Sequence, residues 1–298
     1  MRSSILLLMA SALPLAAQLG GPTSGYVFAA ETRDLRAMRG MAGMAHLGDA
    51  LVKDADNASV SVDGKLAAVA RKGAVELIRD FDTDGPVRVA LAQETGDVLF
   101  AWSGQDLAAV FPASRKAMVW RKAGAEMTAV SIAGIDGEIR NALLDGENLV
   151  IAADGGLYLS RAGKTSRIQA LAEPAALVRA GKDLYIADRG ASQVLQIRDY
   201  AGEAAADTFA AVGQPVGLQL AGGNLLVASA QTRTVDTFDV QSRNRTGSLE
   251  LDFLPTRMEA LGGRPLALLN QGSADEPLYV LDAKDALRVY FVPAGRNQ

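Results

Sequence analysis

Asp80-Phe81-Asp82-Thr83-Asp84-Gly85 places three carboxylates at alternate positions ahead of a glycine. That spacing matches the D-x-D-x-D-G start of a calcium loop, whose oxygen donors suit a hard cation. The complete EF-hand pattern asks for a Glu six residues after the glycine, where Leu91 stands. Asp and Gly favour turns on their own account, so the run reads first as an acidic turn. Calcium on Asp80, Asp82 and Asp84 is the alternative. Other acids with potential chemistry, Glu76, Asp106, Asp154 and Asp188, do not recur at one fixed place along the chain.

Nucleophilic catalysis has few parts to work with. There is no Cys and a single His, His46. That excludes disulfides, thiolate metal sites, a Cys nucleophile and a His-rich metal centre. A Ser-His-Asp triad would have to use His46, which sits in Met44-Ala45-His46-Leu47-Gly48 and reads as part of a connecting segment. No G-x-S-x-G elbow and no G-x-x-x-x-G-K-[ST] loop occurs. Net charge is −4 and the pI about 5.2, so the basic footprint of a nucleic-acid binder is missing. Arg115-Lys116 and Arg121-Lys122 flank a short apolar run that ends in Trp120. It reads as an outer strand with basic ends, its Trp gaining most from burial.

What could position such residues follows from a repeat. Apolar runs of one kind, each preceded by a glycine-containing turn, start at residues 65, 97, 148, 183, 224 and 265, with a further copy at 24. The average spacing is about forty residues, the size of a propeller blade. Glycines 64, 96, 146, 181, 223 and 263 lead these runs, and shorter apolar segments before and after them form hairpin pairs. Each unit then holds about four strands. One four-stranded sheet cannot bury both faces, whereas sheets packed around an axis can. The expectation is an all-β fold: a β-propeller of about seven blades, with six as the alternative, each a four-stranded antiparallel sheet. The rival is helix in residues 31–44 and 203–211, whose composition suits it. The N-terminal unit lacks an innermost strand, and residues 287–292 are expected to complete that blade and close the ring. The 49% apolar and 21% charged residues suit an ordered globular chain.

Leu184-Tyr185-Ile186-Ala187-Asp188-Arg189-Gly190-Ala191-Ser192-Gln193-Val194-Leu195 resembles an NHL-type or YVTN-type propeller repeat. Gly190 matches the turn glycine of those families, while Ala191 and Gln193 depart from their usual Asn and Arg. The resemblance implies the fold and says little of activity, because propellers host binding, scaffolding and enzymatic roles alike. Some propeller lactonases and esterases hold a calcium-like ion in the central tunnel, which is the enzymatic alternative.

In such a fold the turns between second and third strands gather at one end of the tunnel. The repeat assigns Arg71, Ser103, Gln105, Asp154, Arg189, Gln231 and Asn270 to them, a mixed polar ring on a rigid scaffold.

Residues 1–17 read as a secretory signal peptide: Arg2, an apolar run from Ile5 to Ala12, then Ala16-Ala17. Cleavage is expected after Ala17, although Leu15 at the −3 position is poorer than Ala. Residues 18–298 then form a single propeller domain, periplasmic or secreted, without a membrane span and monomeric. The function expected is an exported, non-catalytic binding or scaffold module for a protein, peptide or glycan partner, not nucleic acid. No cofactor is expected beyond the calcium alternative. The competing expectation is a metal-dependent propeller hydrolase or lyase of the lactonase or esterase type.

Overall fold

The computed structural model describes residues 21–41, 43–271 and 276–293. Residues 1–17, and with them the expected signal peptide, lie outside the described residues.

Seven antiparallel sheets follow one another along the chain. The first holds β1 (Thr23–Ala29), β2 (Asp34–Arg39) and β3 (His46–Val52). The second holds β4 (Asn57–Val60), β5 (Leu66–Arg71), β6 (Ala74–Arg79) and β7 (Val87–Gln93). In the third are β8 (Leu99–Ser103), β9 (Asp106–Phe111), β10 (Lys116–Arg121) and β11 (Glu126–Ser131). The fourth comprises β12 (Ile139–Asp145), β13 (Asn148–Ala153), β14 (Gly156–Arg161) and β15 (Lys164–Gln169). The fifth comprises β16 (Pro174–Ala180), β17 (Asp183–Asp188), β18 (Gln193–Arg198) and β19 (Ala205–Ala211). The sixth has β20 (Pro215–Ala221), β21 (Asn224–Ser229), β22 (Thr234–Asp239) and β23 (Arg245–Glu250). The seventh has β24 (Glu259–Ala260), β25 (Leu266–Leu268), β26 (Leu278–Asp282) and β27 (Arg288–Val292).

Seven apolar clusters lie between successive sheets, one per interface. The last joins the chain's two ends: Val27, Met38 and Ala45 of the first sheet pack on Leu266, Leu268, Leu278, Val280 and Val292 of the seventh. The ring therefore closes, and the chain is a seven-bladed β-propeller. Because both faces of a sheet meet a neighbour, the second strands of the later blades are almost wholly buried; β9, β13, β17 and β21 share one pattern, a partly buried first residue followed by five buried ones. Alanines such as Ala68, Ala109, Ala152 and Ala228 keep the sheets close there. The outermost strands β11 and β23 are largely exposed. Trp120 is buried between the second and third blades, where its size fills the interface.

Three readings of the sequence change, and one rival reading fails. The run starting at residue 97 is β8, the innermost strand of its blade, and the true second strand is β9. β8 is only partly buried because one side lines the tunnel, yet it is as apolar as a second strand. Residues 287–292 do not complete the first blade: β27 pairs with β26 as the outer strand of the seventh. Closure rests on side-chain packing across that interface instead. His46 is not in a connection but opens β3, exposed and opposite Arg39. Residues 203–211, despite helix-forming composition, contribute β19, since burial of Phe209 against Tyr185 outweighs local propensity.

Among the described residues the first sheet has three strands, with none inside β1. The β1–β2 turn lies at the same end as the second-to-third-strand turn of the second blade. Arg33 of the first turn donates to the Ala55 carbonyl at 3.2 Å, and Arg71 beside the second donates to the Asp54 carbonyl at 3.3 Å. β1 therefore occupies a second-strand position, and its inner edge has no strand partner among the described residues.

Candidate functional site

The propeller has two ends. Turns between second and third strands, and the blade-to-blade connections, form the lower end. Turns between first and second strands form the upper end.

Of the polar ring read from the sequence, Arg71, Asp154, Arg189, Gln231 and Asn270 lie at the lower end. Ser103 and Gln105 lie at the upper end, because they flank the β8–β9 turn. The misassignment of β8 is what displaced them.

The lower end is laced with ion pairs. Arg140 makes a two-pronged contact with Asp154, Nε to Oδ1 at 3.1 Å and Nη2 to Oδ2 at 2.9 Å, and pairs with Glu138 at 3.0 Å. The Asp154 contact raises the pKa of Arg140 further. Arg189 pairs with Glu173, whose carboxyl that guanidinium holds below its ordinary range. Arg33 pairs with Asp56, which also accepts the Lys72 backbone N–H at 2.6 Å. Arg71 donates to the Lys53 carbonyl at 2.7 Å. The sequence reading missed Arg33, Arg140 and Glu173; all three follow the same logic as the residues it named, because connections between blades share this end with the turns.

Beneath these charges lies a row of buried polar anchors. Asp188 at the end of β17 accepts the backbone N–H groups of Ala172, at 3.0 Å, and Glu173, at 2.8 Å. Ser229 holds the corresponding place in β21 and donates to the Gly213 carbonyl at 2.6 Å. Asn270 follows β25; it donates to the Pro277 carbonyl and accepts the Tyr279 N–H, both at 2.9 Å. Each is buried. Asp188 fixes the connection that carries Glu173, Ser229 the connection at Gly213, and Asn270 its own β25–β26 turn, so Asn270 is an anchor and not an outward-facing contact. Gln231 lies over Gly213, where an added Cβ would meet its Oε1 at 2.1 Å.

The acids with potential chemistry are each engaged separately. Glu76 pairs with Arg88 at 3.1 Å and Asp106 with Arg121 at 2.8 Å. In the acidic turn after β6, Asp82 pairs with Arg39 at 2.7 Å and accepts the Tyr26 hydroxyl at 3.3 Å. Burial, with Asp82 adding to it, pushes the Tyr26 phenol up to about 12. The Asp80 carbonyl accepts the Thr83 hydroxyl at 2.7 Å. Among the described residues, no group of three or more His, Asp or Glu side chains is arranged to hold a metal ion.

At the upper end a cleft of about 390 Å³ opens beside the inner edge of β1, between the first, second and seventh blades. Its walls are residues 23–26 of β1, residues 59–64 around the β4–β5 turn, and residues 259–264 around the β24–β25 turn. Asp63 on its rim accepts the Ser61 hydroxyl at 2.7 Å, which holds its carboxyl below the ordinary range, and Gln105 also donates to it.

No family model matches the chain, and no curated protein matches it. Solved structures do. The computationally designed Ika8 protein superposes with a TM-score of 0.63 at 13% identity, over 92% of this chain and 89% of that one. The β-propeller domain of Cps50 (Swd1) from Myceliophteria thermophila gives 0.60 at 16% identity, over 81% and 88%. A chain of the Mitotic Checkpoint Complex gives 0.62 at 12% identity, over 100% and 90%. At these identities the likeness is one of fold.

Proposed function

We propose that this protein is an exported, non-catalytic β-propeller that binds a protein partner through its lower end. The observation that carries this reading is the lower rim, where Arg33, Arg140, Asp154, Glu173 and Arg189 are ion-paired, Arg71 is held by the Lys53 carbonyl, and buried Asp188 fixes the connection that carries Glu173. A pre-ordered rim of mixed charge selects a complementary surface at little ordering cost. Its half-exposed Arg side chains are of the type enriched at interfaces. One propeller of similar fold comes from a structure named as a complex, the Mitotic Checkpoint Complex. The repeat at residues 184–195 supports an NHL-like or YVTN-like affiliation. The apolar, Arg-led N-terminal segment supports export to the periplasm or medium. The metal-dependent hydrolase reading would need oxygen ligands to converge in the tunnel, and the calcium measurement in the Discussion separates the two.

The test is crosslinking in the native envelope followed by mass spectrometry, with wild type beside R140E/R189E. Partner crosslinks mapping to residues 138–140, 154, 173 and 189, and lost in the variant with unchanged circular dichroism, are the expected result. Crosslinks confined to the upper end or outer strands, or unaffected by charge reversal, would refute the proposal.

A further inference from the structure

At the lower end a groove of about 650 Å³ lies between the first and second blades. Arg33 of the β1–β2 turn, Lys53 and Asp54 of the β3–β4 connection, Arg71 and Lys72 at the β5–β6 turn, and Arg88 of β7 line it. Residues 50–52, the aliphatic end of β3, add one wall. Asp54 is the one carboxylate among these lining residues. Two of the cations are answered by acids outside the lining: Arg33 pairs with Asp56, and Arg88 with Glu76 at 3.1 Å. Among the described residues, Lys53, Arg71 and Lys72 make no ion pair; Arg71 is held by carbonyls instead.

Those carbonyls matter. Arg71 donates from Nε to the Asp54 carbonyl at 3.3 Å and from Nη2 to the Lys53 carbonyl at 2.7 Å. Neutral acceptors orient a guanidinium without cancelling its charge, and further N–H groups remain for a ligand. Arg33 Nε donates to the next carbonyl along, Ala55, at 3.2 Å. One connection thus pins both guanidiniums in advance, which lowers the ordering cost of binding. Lys53 and Lys72 are exposed, and their ammonium groups ride on flexible stems. Even with Asp54, Asp56 and Glu76 set against the five cations, two positive charges are in excess here, on a chain whose net charge is −4. A local field opposite in sign to the whole draws anions to this sector.

We propose that this groove receives an acidic segment of the protein partner, a run of Asp or Glu side chains whose carboxylates meet Lys53, Arg71 and Lys72. The inference deepens the lower-end binding reading and rests on it. A groove of about 650 Å³ exceeds what one carboxylate fills, and its uncompensated cations come from two separate segments, which suits several carboxylates along one chain. The aliphatic wall at residues 50–52 gives their methylene stems a surface to lie on. A nucleic-acid backbone would ask for a broad basic face, which the acidic balance of the whole chain opposes.

Fluorescein-labelled hexaglutamate is titrated with the purified full chain and followed by anisotropy, in about 0.1 M salt, where the Debye length is about 10 Å. Saturable binding is expected, weakened at least about tenfold by K53E/K72E and again by raising the salt to about 1 M. R140E/R189E, which alters the fourth and fifth blades, should leave it within about threefold. K53Q/K72Q removes charge without adding any; its smaller loss keeps the test open if charge reversal disturbs the circular dichroism. Carbodiimide, which joins a Lys amine directly to a carboxylate, should then link Lys53 or Lys72 to an Asp or Glu of the captured partner. No binding of hexaglutamate, equal binding of hexaglutamine, or no effect of either lysine variant would overturn the inference. Tighter binding of a single-stranded DNA of equal charge would overturn it too and make the groove a phosphate site. So would a partner captured at residues 138–140 and 189 but never at Lys53 or Lys72. The titration needs no native partner, and the crosslinks at Arg140 and Arg189 need no acidic segment, so either proposal can fail alone.

Discussion

Replacing Asp188 by alanine tests whether the buried anchors hold the lower rim. Its carboxylate is 2% exposed and accepts two backbone N–H groups from the β15–β16 connection. A hydrogen bond to a charged group contributes about 1.5–3 kcal/mol. Ala172 is exposed, so water can replace the carboxylate at its N–H; Glu173 is less accessible, and most of the loss falls there. D188A should therefore cost about 2–3 kcal/mol, and a chain of this size converts that to roughly 4–6 °C in melting temperature. D188N keeps one carbonyl acceptor and should lose about half as much. The assay is reversible thermal or urea unfolding followed by circular dichroism, with wild type, D188A and D188N side by side. A D188A loss below about 1 kcal/mol would refute the reasoning, since the two N–H groups would then be satisfied without the carboxylate.

Burial and a neighbouring Asp push the Tyr26 and Tyr200 phenols from an ordinary 10 to about 12. The unfolded chain then loses these protons first, so their contribution to stability is present below pH 10 and disappears as pH rises to 12; alkaline unfolding of Y26F/Y200F should begin at higher pH than wild type. Gly217→Val should destabilise by several kcal/mol, because the added Cβ meets the Met258 backbone N at 2.3 Å; denaturant titration reads it, and a loss under about 0.5 kcal/mol would contradict the close approach. Asp82 is already bound to Arg39, so calcium or EDTA should leave the melting temperature of the purified protein within about 1 °C, whereas a ligand saturating at 100 times its Kd would add about 2.7 kcal/mol. A clear calcium-dependent rise would favour the metal-dependent alternative.

The fold was legible because a propeller repeats one burial environment seven times. Strands such as β13, β17 and β21, buried on both faces, write the same apolar run into the sequence about every forty residues, and a turn glycine marks each start. The signal failed at β8, where an inner strand as apolar as a second strand took its place in the count and carried Ser103 and Gln105 to the wrong end. Spacing alone also could not close the ring. Whether residues 287–292 joined the first blade or the seventh depended on pairing energy between segments far apart in sequence, and local pattern is silent on that.

The lower rim shows the same division. Composition and periodicity determined that polar side chains crown buried strands, and that no thiol or histidine cluster is available for chemistry. Only the tertiary structure decided that Arg140 meets Asp154, that Arg189 meets Glu173, and that Asp188, Ser229 and Asn270 turn inward. The physical reason is that an ion pair such as Arg140–Asp154, or an anchor such as Asp188 or Ser229, is a relation between a turn and a connection about 15 residues apart, fixed by how the strands between them are paired. Strand identity is written locally by burial, whereas partner identity is set by the ring.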